Sequence, residues 1–237
     1  MSKKTKLDNS PQVTQPPAIK KMLNIKQFKW TEKQKKLIEL AMDKKTKLVF
    51  ISGPAGTSKS SCAIYCALEL LNKKTAKQIL YVRSPVESGR SLGFRKGSDD
   101  EKMAPYAQPL YDKLDEFLSN ADIKYLEDDG KIEVTTVGYL RGRSLPARVL
   151  ILDEASSCTY KEIYTFITRG GEFSKIFVCG DYAQADINNP GFKKIAQKFN
   201  DEESKENGIQ TFEFDRSDII RSALVKFIVE KLDDGKE

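Results

Sequence analysis

Short apolar runs recur along this chain at the spacing of buried strands. Residues 48–51, 78–82, 131–135, 148–152, 175–179 and 211–214 each read as a strand. Between several of them the apolar positions fall at helical spacing instead, over 31–43, 59–71, about 105–119, 159–168 and 216–232. In the first helix Thr31 is placed to cap, and Leu37, Ile38, Leu40 and Ala41 form the apolar stripe. Near-continuous apolar strands alternating with helices predict an α/β fold, a mainly parallel sheet with helices on both faces. Residues 1–23 are basic, contain proline and lack periodicity, so they read as a disordered arm before a single domain over 24–237. Residues 200–208 read as an exposed loop, and no internal repeat is evident.

The first strand leads into Gly53, Pro54, Ala55, Gly56, Thr57, Ser58, Lys59, Ser60 and Ser61, which open a helix. Strand, glycine-rich loop and helix follow in the order of a P-loop. Successive backbone N–H groups and the helix N-terminus create a positive concavity suited to a triphosphate. Lys59 adds a mobile ammonium for the outer phosphates, and the Ser60 hydroxyl can ligate Mg²⁺. Ser58 stands where the usual pattern has glycine, adding a Cβ at the closest approach to phosphate.

The 148–152 strand ends in Asp153 and Glu154. Ligands of a parallel sheet bind beyond the carboxyl ends of its strands, so Asp153 should face the crevice that holds Lys59. A carboxylate there can hold Mg²⁺, and Glu154 can polarise an attacking water. The 175–179 strand runs into Gly180, Asp181 and then Gln184, which is placed to sense a γ-phosphate.

Composition narrows the chemistry. The chain has 237 residues and no histidine, so a general base must be a carboxylate and a metal site must be rich in oxygen. Cys62, Cys66, Cys158 and Cys179 form no CxxC pair and read as small buried apolar residues. The net charge of +6 permits a nucleic-acid partner without demonstrating one. There is no apolar run of membrane length, and the start of the chain lacks the apolar stretch of a secretory signal, so the expected setting is the cytoplasm of a cell or an infected host cell.

Several segments coincide with one family. Besides the P-loop these are 83–87, 92–94, Pro105-Tyr106, 109–112, 141–145, 152–155, Thr168-Arg169, Gly180-Asp181 and 218–221. From about Thr31 to Lys226 the chain resembles the PhoH-like proteins, P-loop ATPases similar to the N-terminal motor domain of superfamily 1 helicases. The resemblance implies a RecA-like core that binds ATP and Mg²⁺, forms a homo-oligomeric ring of hexamer type and engages single-stranded RNA or DNA. It implies that Gln34 recognises adenine and that Arg169 or Arg221 acts as an arginine finger in a neighbour's site. Arg83 and Arg143 become candidates for a nucleic-acid strand or a subunit contact, and so do Tyr106 and Tyr111, by stacking or by packing. Ser58 and Ser61 depart from the family's usual residues, which bears on hydrolysis rate more than on binding. Two other readings remain open: an ATP-dependent oligomeric switch with slow hydrolysis, and a small-molecule P-loop kinase.

Overall fold

The computed structural model describes residues 17–84, 99–182, 187, 190–220 and 224, with side chains described from 103 onward in the helix that begins at 99. Six strands, β1 (Leu48–Ser52), β2 (Gln78–Arg83), β3 (Ile132–Thr135), β4 (Arg148–Asp153), β5 (Lys175–Gly180) and β6 (Ile209–Glu213), form one sheet in the order β3-β2-β4-β5-β1-β6. Every pairing is parallel. Strand β5 therefore lies between β1, which feeds the glycine-rich loop, and β4, which ends in the acids.

Alternation along each strand divides the core in two. Val49, Ile51, Ile79, Tyr81, Val149, Ile151 and Phe177 face one layer, with α1 (Glu32–Met42), α2 (Lys59–Asn72), α3 (Asp99–Phe117) and α4 (Asn120–Asp128). Phe50, Leu80, Val82, Leu150, Leu152 and Val178 face the other, covered by α5 (Tyr160–Ile167) and α6 (Phe192–Lys198). This is the α/β fold that the apolar pattern predicts, with the glycine-rich loop between β1 and α2. The four cysteines are buried and unpaired, as read from the sequence. Burial pushes the Cys66 and Cys158 thiols up to about 12.

The cap of α1 holds where the sequence places it. Thr31 accepts from Gln34 N–H while Gln34 Oε1 accepts from Thr31 N–H, a capping box at the start of α1. Thr159 and Glu162 repeat the device at α5.

Three readings are corrected. Residues 202–206 form a short helix, α7 (Glu202–Glu206), inside the segment read as loop. Asp201 caps it, accepting from Ser204 N–H at 2.7 Å, and Glu202 and Glu203 lie at the positive end of its dipole. It has no apolar stripe, so periodicity could not reveal it. Helix α3 begins six residues before the expected 105 and continues through Pro105 and Pro109. The segment 17–23 is packed rather than free: Ile19 and Leu23 are buried, and the fully buried Lys131 ammonium donates to the Pro17 carbonyl. Helices α4 and α6 are not among the helices expected from the sequence. Most of the expected 216–232 helix lies outside the described residues, which show a 3-10 turn at Arg216–Asp218. Tyr111 packs against the first core layer, its phenol pushed up to about 12 by burial and then by Glu127.

Candidate nucleotide-binding site

The loop after β1 is built from backbone constraints. Gly53 has φ +147°, and a Cβ there would lie 2.6 Å from the Phe214 Cβ, so only glycine fits beneath the chain leaving β6. Gly56 has φ +87° and its carbonyl accepts from Ile220 N–H at 2.9 Å. Thr57 is fully buried, and its hydroxyl donates to the Pro54 carbonyl at 2.9 Å. Its own carbonyl accepts from Gln34 Nε2 at 3.3 Å. The loop is thus braced from α1 before any ligand arrives.

Ser58 takes the left-handed conformation, φ 66° and ψ 30°, and caps α2 through no side-chain hydrogen bond. The Lys59 ammonium folds back on the loop, donating to the Gly53 carbonyl at 2.6 Å and the Pro54 carbonyl at 2.9 Å. One residue on, the Ser60 hydroxyl donates to Asp153 Oδ1 at 2.6 Å. Ser61 is buried within α2.

Asp153 is held from three sides. Besides Ser60, the Tyr81 hydroxyl donates to Oδ2 at 2.5 Å and the Glu154 N–H donates to Oδ1 at 3.1 Å. Tyr81 reaches it because β2 pairs with β4, setting Tyr81 beside Ile151 and Arg83 beside Asp153. Burial, then the Asp153 charge, hold the Tyr81 phenol protonated far above its usual range, so it stays a donor. The buried Cys179 thiol is raised by the same two causes. Glu154 adopts a left-handed turn at φ 54° and leaves its carboxylate half exposed, 3.6 Å from Arg83 Nη2. The Ser156 hydroxyl accepts from Asp181 N–H at 2.6 Å and ties the ends of β4 and β5 together.

These groups open on a cleft of about 510 Å³, within the range of small-ligand sites. Ala55, Gly56, Ser58, Lys59, Ser60 and Ser61 line it together with Asp153, Glu154, Gly180 and Asp181. Phe28, Arg83, Pro109, Lys113, Glu116, Cys179 and Ile220 complete the lining. A serine hydroxyl and a carboxylate this close are both hard oxygen donors, and they fit a Mg²⁺ ion that takes its other ligands from phosphate and water. Among the described residues no group of three or more His, Cys, Asp or Glu is positioned for a metal, so a self-contained protein cage is not how these residues would hold one.

Several residues picked from sequence stand elsewhere. Gln34 is 1% exposed and does not line the cleft, since both ends of its amide are engaged by Thr31 and Thr57. Arg143 makes a two-pronged pair with Glu133 at 2.6 and 3.0 Å. Arg169 donates to the Thr165 and Arg143 carbonyls and to the Thr168 hydroxyl. Neither arginine lines the cleft. Gln184 and Arg221 lie outside the described residues. Tyr81, Phe28, Lys113 and Glu116 escaped the sequence reading. Only strand alternation could have flagged Tyr81, and nothing local flags the others.

Residues 27–233 match the family model described as PhoH-like protein. The chain belongs to the PhoH-like family. It is 38% identical over 194 residues to the PhoH-like protein of Bacillus subtilis (strain 168), covering 82% of this chain and 60% of that one. It is 33% identical over 182 residues to Protein PhoH of Escherichia coli (strain K12), covering 75% of this chain and 50% of that one. This PhoH-like chain thus spans about half to three-fifths of the length of the curated relatives it matches. Among solved structures, that of Bacteroides sp Pif1 in complex with ADP-AlF4 is 16% identical, covers 80% of this chain and 42% of that one, and aligns with a TM-score of 0.35. The P-loop, the acid strand and the Gly180-Asp181 turn all lie within the family match.

Proposed function

We propose that this chain is a Mg²⁺-dependent ATPase of the PhoH type. The observation that carries the reading is the 2.6 Å contact between Ser60 and Asp153, one residue from Lys59, in the lining of a nucleotide-sized cleft. Lys59 and the loop amides hold the triphosphate. Ser60 and Asp153 hold Mg²⁺, which when bound neutralises charge on the phosphate oxygens. Glu154, half exposed beside that pair, orients and deprotonates the attacking water. Gln184 senses the γ-phosphate.

The finer parts of the proposal rest on family membership and charge. Hydrolysis is coupled to single-stranded RNA or DNA, for which the +6 charge and the sequence resemblance to helicase-like P-loop ATPases speak. Subunits assemble into a ring, and Arg169 or Arg221 completes the neighbour's site as an arginine finger. The setting is cytoplasmic, and no described helix is long and apolar enough to cross a membrane.

One observation favours a second reading, a slow switch. Ser58 carries a Cβ in a left-handed turn where the nucleotide comes closest. Phosphate release from Mg-ATP, measured with and without single-stranded RNA or DNA and with Lys59→Ala as control, decides between them. Turnover that rises with nucleic acid and vanishes in the variant supports the motor. Tight ATP binding without turnover supports the switch. A phosphorylated small-molecule acceptor in place of free phosphate would mark a kinase and overturn both.

A further inference from the structure

The cleft lining outside the phosphate loop has chemistry that the phosphates do not use. Phe28 lines it and is 41% exposed, a large apolar ring left open to the cleft. The ring is nonetheless fixed. Its centroid lies 4.7 Å from Trp30 and 5.8 Å, edge-on, from Phe117. Trp30 is in turn wedged against Tyr65 at 5.2 Å, edge-on, and against Phe117 at 6.0 Å. The backbone before it is pinned too, as Lys26 N–H donates to the Phe117 carbonyl at 2.8 Å. An aromatic cluster thus supports Phe28 from behind and leaves its free surface toward the cleft.

Triphosphate binding on the loop leaves the rest of the nucleotide to meet this wall. The Gln34 amide is buried, engages Thr31 and Thr57, and does not line the cleft. A rigid aromatic ring suits a nucleobase, because every base presents a π-face and stacking needs no hydrogen-bond match.

We propose that Phe28 is the platform on which the nucleobase stacks, making the segment ahead of α1 the base-binding wall of the site. This rests on the nucleotide-binding reading above. Gln34 then acts one step removed, tying that segment's end to Thr57 in the phosphate loop, so that base and phosphate subsites are braced by one residue.

The test compares Mg-ATP with Mg-tripolyphosphate, which has the phosphates and no base. Affinities are measured by calorimetry, and also by the emission of Trp30, the only tryptophan in the chain. Wild type should bind ATP about 5- to 150-fold more tightly than tripolyphosphate, the range expected of one stacked base. Phe28→Ala should lose most of that preference and keep its tripolyphosphate affinity, while Phe28→Tyr should retain both. Phe28→Leu keeps apolar bulk without a π-face and should behave as Phe28→Ala, which separates stacking from folding if the alanine variant does not fold. A Phe28→Leu variant that keeps the full ATP preference overturns the proposal while leaving the nucleotide site standing. A wild-type protein that binds neither probe overturns the nucleotide-binding reading, and this inference with it.

Discussion

Ser60 and Asp153 are 93 positions apart in the chain, yet the Ser60 hydroxyl donates to Asp153 Oδ1 across 2.6 Å. The contact joins the first turn of α2 to the end of β4 across the intervening strand β5. Tyr81 fixes the other carboxylate oxygen, so the pair is oriented in advance rather than assembled by ligand. Asp153→Asn should therefore lower phosphate release at least about 100-fold, because a neutral amide is a much weaker ligand for Mg²⁺ than a carboxylate. Tyr81→Phe should leave turnover within about tenfold and cost about 1–3 kcal/mol of stability, the penalty for a buried polar group left without its partner. Paired turnover and denaturant-unfolding measurements check both. Equal loss of turnover in the two variants would show that Tyr81 acts in the chemistry.

Ser58 stores strain at the phosphate loop. Its φ of 66° is costly for a residue with a Cβ and free for glycine. Ser58→Gly should raise stability by up to about 1 kcal/mol, part of the relief being offset by the freer unfolded chain. It should also raise turnover, since the loop can then close on phosphate. Ser58→Val should lose at least about 1 kcal/mol, because a branched side chain tolerates this conformation worst. Unfolding midpoints and phosphate release on the two variants read this directly. A Ser58→Gly variant less stable than wild type would mean that the serine hydroxyl serves the loop.

The parts of the site legible in the sequence are those a local pattern encodes. The loop from Gly53 to Ser60 and the acids closing β4 follow from strand, turn and helix signals within a few residues. Tyr81 depends on β2 pairing beside β4, a fact of topology that no local window contains. Phe28 depends on α3 folding back against the segment before α1, and in sequence it is one aromatic among 12 phenylalanines. Arg143 shows the converse. A motif made it a candidate, but Glu133, ten residues earlier on β3, satisfies its guanidinium with two hydrogen bonds. Helix α7 was missed because capping and dipole effects, not an apolar stripe, define it.

The two arginines once grouped together should now separate. Arg83 lines the cleft and lies 3.6 Å from Glu154, so on the proposed function its charge would face bound phosphates. Arg83→Ala should lower basal turnover about tenfold or more. Arg143→Ala removes a partly exposed ion pair remote from the cleft, so turnover should stay within about twofold and stability should fall by no more than about 1 kcal/mol. Assays without nucleic acid come first, since they isolate the cleft. If Arg143→Ala is the more damaging in a wild-type-like oligomer, Arg143 acts across a subunit interface.

The segment ahead of α1 should prove part of the folded domain. Deleting residues 1–23 removes buried Ile19 and Leu23 and strips the buried Lys131 ammonium of its Pro17 acceptor. Each apolar side chain is worth about 1.5–3 kcal/mol, so the deletion should cost at least about 3 kcal/mol in denaturant unfolding. Lys21 adds a pH signature. Its ammonium pairs with Asp122 at 2.5 Å and, aided by Ser119, holds that carboxyl below its usual range. A carboxyl with a depressed folded-state pKa stabilises the fold above its unfolded value, near 3.8, and the gain is lost as pH falls through the folded value. The gap between wild type and Asp122→Asn should therefore be constant from pH 7 down to about 5 and close below about 4, with a size under about 1 kcal/mol because Lys21 is largely exposed. A gap that instead widens on acidification would mean that Asp122 is held by burial and not by Lys21.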